Sequence, residues 1–230
     1  MKFVDIKSDI AFKKVFGNEH KKEILISFLN AVLDLKGDKE IKEIEILNPY
    51  QAPKIEVLKE TALDVRAKTK EGTTFIVEMQ VEKEPHFRKR VVYYSSKAYV
   101  NQINKGEDYP KLNQVIFIGI LDFKIFDGDK YLTKHLILNI DNMKQELPDL
   151  EFNFIELPKF NKGEQELETV IDKWIYFIKN APDLKMIPKT ADFKEIIEAY
   201  EVADQFQWTK NELDVYDYWL MREQSEKSAF

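Results

Sequence analysis

The sequence contains no cysteine, which excludes disulfides, thiolate metal sites and a cysteine nucleophile. Its three histidines, His20, His86 and His135, lie too far apart in sequence to have zinc-ligand spacing. No apolar run approaches the roughly 18 residues of a membrane span, since the longest extends over residues 115–121, and the first residues lack the apolar core of a signal peptide. The sequence therefore favours a cytoplasmic protein outside the membrane.

The composition indicates a globular protein with an uneven distribution of charge. With 230 residues, 44% hydrophobic and 13% aromatic, the chain can bury a sizeable core as one large domain or as a domain with an appendage. The net charge of −6 argues against a nucleic-acid partner. However, residues 1–115 carry 21 Lys+Arg against 18 Asp+Glu, whereas residues 116–230 carry 14 against 23. The basic first half is a reason to consider a polyanionic partner.

Residues 61–81, TALDVRAKTKEGTTFIVEMQV, predict a β-hairpin with an acid in each strand. Asp64 lies in the first strand, and Glu78 and Gln80 lie two residues apart in the second, so that they share a face. Lys70-Glu71-Gly72 is a suitable turn, because glycine supplies the positive φ. A hairpin symmetric about the middle of this turn places Asp64 directly across from Glu78.

Two opposed acids in a hairpin require an explanation. Asp and Glu are depleted in strands, and like charges on directly opposed residues, whose Cβ atoms are about 4.5–5.5 Å apart, are destabilising. A divalent cation held by oxygen ligands relieves this repulsion, and a shared proton also does so. Alternatively, Asp64 and Glu78 both face water at little cost, and the spacing alone leaves these alternatives open.

Hydrophobic periodicity and turn residues predict the order α, β, β, β, α, β for the first half of the chain. The predicted elements are a helix with Ser8 as its N-cap and an interruption at Gly17-Asn18, its continuation to near Gly37, a strand over 41–47, the two hairpin strands, a helix over 86–105 and a strand over 115–121.

In the second half, strand patterns precede helical ones. Strands are predicted over 131–139 and 151–157, and helices over 164–180, 192–207 and 211–224. Core packing is the preferred role of the aromatic residues at helical spacing, Trp174, Phe177, Trp208, Tyr216 and Trp219. We therefore expect an α/β (α+β) protein with a core domain over residues 1–125 and a β-hairpin plus helical C-terminal extension over residues 126–230 packed on it.

This order of elements and the hairpin acids resemble the PD-(D/E)XK nuclease superfamily. Its αβββαβ core carries Asp on the second strand and Glu-x-Lys or Glu-x-Gln on the third. The segments SDIAFKKVFG, IEILNPY, LDVRAKTKEGTTFIVEMQV and FQWTKNELDVYDYW narrow the resemblance to the Rpn/YhgA-like group of recombination-promoting nucleases and transposase-like proteins, over most of residues 5–220. The resemblance implies a restriction-endonuclease-like mixed central sheet flanked by helices.

The resemblance assigns roles to individual residues. Asp64 and Glu78 correspond to the metal-binding acids, and Gln80 to the catalytic position usually held by lysine; glutamine lacks that charge but can orient water. Leu63 stands where the superfamily has proline. Asp9 matches an acid that completes the metal site in some relatives, but it is equally a first-turn acid stabilised by the helix dipole. The implied cofactor is Mg²⁺, with Mn²⁺ as a substitute, because the ligands are oxygen atoms.

Basic residues on two helices are candidates for DNA-phosphate binding, which gives affinity independent of sequence. The candidates are Arg90 in the segment RVVYY, Arg88, Lys97, Lys13 and Lys14. For Lys89 a solvated helix face is the preferred interpretation, and for Tyr93 and Tyr94 it is packing.

The resemblance implies a Mg²⁺-dependent DNA endonuclease linked to recombination or mobile elements. Gln80 and the acidic balance leave open a catalytically weak or inactive DNA- or protein-binding module on the same fold. DNA is the expected partner. A homodimer, and a protein partner of the acidic C-terminal half, are both compatible with the sequence.

Overall fold

The fold is known from a computed structural model, which describes residues 1–48, 50–51 and 61–228. Contacts divide the chain into two compact units. The first unit combines Met1–Ala31 with Lys162–Phe230, and the second is Val32–Asn161. The second unit contains the hairpin with the two acids. A domain division between residues 125 and 126 stays a prediction.

The described residues form six α-helices and eight β-strands in an α+β arrangement. The helices are α1 Asp9–Phe16, α2 Lys22–Leu33, α3 Phe87–Val100, α4 Val170–Asn180, α5 Lys194–Ala203 and α6 Lys210–Ser228. The strands are β1 Glu45–Leu47, β2 Tyr50–Gln51, β3 Thr61–Ala62, β4 Val65–Lys68, β5 Thr74–Gln80, β6 Val115–Leu121, β7 Leu132–Leu136 and β8 Leu150–Glu156.

Six strands of the second unit form one mixed sheet in the order β1-β4-β5-β6-β8-β7. The pairs β1–β4, β4–β5 and β7–β8 are antiparallel, whereas β5–β6 and β6–β8 are parallel. The strands β2 and β3 form a separate antiparallel pair. The parallel strand β6 is buried along its whole length, as its uninterrupted apolar sequence predicts.

The hairpin register agrees with the symmetry of its sequence. Val65 pairs with Val77 and Lys68 with Thr74, so the two strands are symmetric about the predicted turn. Gly72 in that turn has a φ of +102°, a conformation that glycine adopts at no steric cost. This is the register from which the sequence predicts that Asp64 and Glu78 lie at facing positions.

The core of the second unit lies between the sheet and α3. Phe87, Val91 and Ala98 form the buried face of this helix and share a hydrophobic cluster with strand residues. Phe117 and Phe154 contribute two of the large rings from the strand side, and their centroids are 5.9 Å apart. This packing fixes α3 beside the strands that carry the candidate site residues.

The first unit is helical and has an aromatic core. The side chain of Ser8 accepts a hydrogen bond from the amide of Ala11, so Ser8 is the N-cap of α1 as predicted. Trp174 is fully buried and packs against Phe16 and Phe28, with ring centroids 5.8 and 6.0 Å away. The predicted core role of the buried aromatic residues is confirmed for Trp174, Phe177, Trp208 and Tyr216, while Trp219 is half-buried and stacks on Tyr216.

Several element boundaries differ from the prediction for local reasons. The strand predicted over 41–47 pairs only from Glu45, because its partner strand β4 ends at Lys68. The helix predicted to reach residue 105 ends at Val100, and the side chain of Gln102 then bonds with the backbone of Asn113. The helix predicted from residue 164 begins at Val170.

Candidate active site

Asp64 and Glu78 meet where β4 begins and β5 approaches its end. The backbone amide of Asp64 donates to Oε1 of Glu78 over 3.3 Å, and the amide of Met79 donates to Oδ2 of Asp64 over 2.8 Å. Each acid therefore accepts a hydrogen bond from the opposite side of the hairpin. This exchange fixes both carboxylates at the same end of the hairpin, as the register predicts.

The surroundings of Glu78 are mostly apolar on the side of β6. Glu78 is only 6% exposed, and in the sheet it lies directly beside Gly119, which in turn pairs with Phe154. A Cβ atom at Gly119 would lie 3.0 Å from the ring of Phe117 and 3.1 Å from that of Phe154, so these rings lie over the glycine. Burying a carboxylate beside such rings is costly unless it is compensated by hydrogen bonds or a cation.

The donor chemistry of this pair fits a hard divalent cation. Asp64 was predicted inside the first hairpin strand but lies immediately before β4, whereas Glu78 is on β5. The two carboxylates supply the oxygen ligands that Mg²⁺ and Mn²⁺ take. Within residues 1–48, 50–51 and 61–228, no group of three or more acidic or histidine side chains forms a larger metal site. Asp64 and Glu78 are thus a pair of carboxylates that could hold a metal at this end of the hairpin.

Glu156 is a second buried acid on this face of the sheet, but its role is structural. It is fully buried and accepts hydrogen bonds from the amides of Ile125 and Phe126, at 2.7 and 3.2 Å. The Nζ atom of Lys159 lies 2.6 Å from its other oxygen. Both oxygens of Glu156 are thus used to hold the loop that follows β6.

Gln80 is part of a closed polar network with two residues from beyond the hairpin. Its Oε1 accepts a hydrogen bond from Arg90, and its Nε2 donates to Oε1 of Glu84 over 3.4 Å. Arg90 also forms an ion pair with Oε2 of Glu84. The structure therefore brings a guanidinium group to the position next to Gln80.

Two aromatic rings flank the guanidinium of Arg90. Its central carbon lies 5.3 Å from the ring centroid of Phe87 and 5.8 Å from that of Tyr94, which are cation–π distances. Burial raises the pKa of Tyr94, the charge of Arg90 opposes this increase, and the charges of Glu78 and Asp64 add to it. Tyr94 thus lies within the electric field of both acids.

Tyr94 packs against the hydrophobic core, which confirms its predicted packing role. It also lies one helical turn after Arg90, and residues four apart lie on the same helix face. Glu84 is the residue of this network that the sequence patterns do not predict. Glu84 lies in the irregular segment before α3, where periodicity gives no information.

The other predicted phosphate-binding residues have diverse environments. Arg88 donates to the carbonyl of Ile125 and lies over the ring of Phe126, so it is attached to the loop after β6. Lys97 is on the same helix but only 6% exposed. In the second unit the structure therefore brings only Arg90, among the predicted cations, into contact with Gln80.

The remaining predicted residues belong to α1 in the first unit. Asp9 is 64% exposed at its side chain and forms an ion pair of 2.7 Å with Lys13. Lys14 forms an ion pair with Glu212 and lies 5.2 Å from the ring centroid of Trp208. Asp9 has the surroundings of a first-turn helix acid, and its role as a metal ligand stays a prediction.

A family model described as PD-(D/E)XK nuclease family transposase matches residues 6–229. The chain belongs to this family. The match covers nearly the whole chain and confirms the predicted resemblance to the PD-(D/E)XK nucleases, together with the predicted α+β fold class. No curated protein and no solved structure matches the chain.

Membership of the PD-(D/E)XK nuclease family indicates a nuclease-related role, a hydrolase acting on nucleic acid, and a divalent metal as the cofactor that such nucleases generally use. None of the described helices is both long enough and apolar enough to cross a membrane. The family therefore supports the general expectation that this chain is a nuclease.

Proposed function

We propose that this chain is a metal-dependent DNA endonuclease that hydrolyses phosphodiester bonds, in a process linked to recombination or mobile elements. The observation that carries the proposal is the exchange of backbone hydrogen bonds by Asp64 and Glu78 at one end of the hairpin. It keeps two carboxylates at one end of the hairpin, and one or two carboxylates together with substrate phosphates are the usual ligands of Mg²⁺.

Each residue at this site has a distinct role in the proposed reaction. Asp64 and Glu78 hold Mg²⁺, or Mn²⁺ in its place. A bound divalent ion supplies charge stabilisation at the reacting phosphate and lowers the pKa of an attacking water. Arg90 binds a non-bridging phosphate oxygen, because a guanidinium forms charge-assisted hydrogen bonds with phosphate. Gln80 positions Arg90 through its carbonyl oxygen.

Plasmid nicking with Mg²⁺ or Mn²⁺ tests the proposal. The variants Asp64→Asn and Glu78→Gln keep oxygen acceptors for the hairpin amides but remove one negative charge each. We expect both to reduce nicking to the level seen without divalent ion. Glu71→Gln, at the turn end of the same hairpin, is the control and should retain activity. Nicking that persists in both site variants would show that the site is assigned wrongly.

A binding module with little or no catalysis is the second candidate. Gln80 favours it, because the amide brings no charge to a position where the superfamily usually has lysine. Calorimetry with Mn²⁺ separates the two candidates. Absence of divalent-ion uptake by the unmodified protein, together with DNA binding without nicking, would support the binding module.

We also retain wider proposals from the sequence. Arg88, Lys97, Lys13 and Lys14 are proposed phosphate contacts away from the reacting group, where each contributes sequence-independent DNA affinity. A homodimer, and a protein partner bound by the acidic C-terminal half, are further proposals. Size-exclusion chromatography with light scattering measures the first of these directly.

A further inference from the structure

The network of Gln80, Glu84 and Arg90 contains an acid whose role the proposed reaction does not explain. Each of the three side chains contacts the other two, because Glu84 uses one oxygen for Gln80 and the other for Arg90. The Glu84 side chain is 47% exposed, whereas that of Arg90 is 23% exposed. The acid thus occupies the outer side of the guanidinium.

Glutamine at position 80 is suited to this network in a way that lysine is not. A lysine side chain has three donors and no acceptor, and it would repel the guanidinium of Arg90. The amide of Gln80 provides an acceptor for Arg90 and a donor for Glu84. The positive charge next to Gln80 is therefore carried by Arg90, on α3, rather than by the hairpin.

Glu84 forms the kind of contact with Arg90 that a phosphate would form. The guanidinium is a planar group with several N–H donors. Both carboxylates and phosphates present two oxygen atoms to it and accept charge-assisted hydrogen bonds. Glu84 occupies the exposed NH1 side of the guanidinium. Its negative charge offsets the charge of Arg90 and repels a phosphate that approaches from that side. The guanidinium of Arg90 also donates to Gln80 through NH2 and contacts the rings of Phe87 and Tyr94. These contacts remain without Glu84, so we expect Arg90 to keep its position.

We propose that Glu84 is a competing anion that pairs with Arg90 until a substrate phosphate displaces it. This inference rests on the proposed nuclease function and identifies Glu84 as a residue that regulates the access of phosphate to Arg90. Because an ion pair this exposed contributes little to stability, displacement is easily reversible. The same weakness limits the effect on affinity, so removal of the acid should tighten DNA binding about two- to fivefold.

The test compares Glu84→Gln with Glu82→Gln, which removes the same charge two residues away. Affinity is measured by fluorescence anisotropy with a labelled DNA duplex in EDTA, and the nicking rate is measured with Mn²⁺. We expect tighter binding in Glu84→Gln than in Glu82→Gln, and faster nicking at a DNA concentration below saturation. In an Arg90→Gln background, Glu84→Gln should produce no such gain, because the cation that it releases is absent.

A second readout is independent of DNA. Phenylglyoxal modifies accessible arginines, and mass spectrometry of peptides measures its rate at Arg90. We expect faster modification in Glu84→Gln than in Glu82→Gln. Equal affinity gains in both variants, or a full gain in the Arg90→Gln background, would overturn the inference while leaving the nuclease proposal intact. An unmodified protein that neither binds nor cleaves DNA overturns both, even if the phenylglyoxal rates confirm the contact.

Discussion

The guanidinium of Arg90 combines four contacts that no other side chain type could make together. It donates to Gln80, pairs with Glu84, and lies at cation–π distance from the rings of Phe87 and Tyr94. A planar group with five donors can form two directional hydrogen bonds and still present its face to an aromatic ring. A lysine, with a single ammonium group, could not form this set of contacts.

We predict that Arg90→Lys slows nicking although the charge is retained. An ammonium group cannot contact Gln80 and a phosphate with the same geometry, so one charge-assisted hydrogen bond is lost. That loss of about 1.5–3 kcal/mol corresponds to a roughly ten- to hundredfold slower reaction. The measurement is the single-turnover nicking rate at saturating DNA.

The control for this prediction is the neighbouring, exposed Lys89, changed to arginine. We expect the Lys89→Arg variant to nick DNA at the rate of the unmodified protein, because residue 89 lies on a solvated face of α3. Equal rates for unmodified protein and Arg90→Lys would show that only the charge of residue 90 matters, and not its hydrogen-bond geometry.

At the level of secondary structure elements, the parallel strand β6 supports the site from the side. Gly119 pairs with Glu78 on one neighbouring strand and with Phe154 on the other. The absence of a side chain at this position allows the rings of Phe117 and Phe154 to pack over the strand. The hydrophobic core between β6, β8 and α3 therefore begins at the strand next to Glu78, one of the candidate metal ligands.

We predict that Gly119→Ala destabilises the protein by about 1–3 kcal/mol, the usual cost of adding a methyl group to a filled core. The new Cβ atom would be 3.0 Å from the ring of Phe117, which is fully buried and has little room to move. Urea unfolding measures the change. Gly163→Ala, where the nearest atom is 3.4 Å away, is the matched control and should leave the stability nearly unchanged.

At the scale of the whole molecule, both ends of the chain contribute to the first unit. The backbone amide of Asp5 donates to the hydroxyl of Tyr216 over 2.7 Å, so the N-terminal segment is attached to α6. Phe3 forms an isolated β-bridge with Asp204. The second unit is inserted between these two ends, and its sheet includes strands on both sides of residue 125.

The burial of Tyr216 predicts a loss of stability at alkaline pH. Burial raises the pKa of Tyr216 to about 12, although the amide of Asp5 opposes this increase. In the unfolded chain the hydroxyl ionises near its usual pKa of about 10. The stabilising contribution is therefore fully present below pH 10 and is lost as the pH rises to about 12.

Thermal unfolding across this pH range tests the prediction. Tyr216→Phe should show a smaller decrease in Tm between these pH values, because it has no ionisable hydroxyl. At neutral pH it should be less stable by about 1 kcal/mol, since Asp5 loses its acceptor. Tyr218→Phe, at an exposed position on the same helix, should follow the unmodified protein. An identical pH dependence in Tyr216→Phe would contradict the assignment.

The hairpin and the helix cap are examples of what local sequence predicts well. Ser8 and the pattern after it predicted α1, and the turn at Gly72 with alternating residues predicted the register of β4 and β5. These features depend on residues close together in sequence, so propensity and periodicity suffice to find them. Element ends were less well predicted, because a strand such as β1 extends only as far as its partner does.

The sequence by itself determined the fold class, the placement of Asp64 opposite Glu78, and the order of the helices and of the six strands in the main sheet, since these follow from local pattern and family resemblance. It did not predict the short pair β2 and β3. Only the tertiary structure decided that Arg90 contacts Gln80, that Glu84 completes the network and that Tyr94 lies in the field of both acids. The reason is physical: these side chains come from a strand, an irregular segment and a helix, and only the packing of α3 against the sheet brings them together.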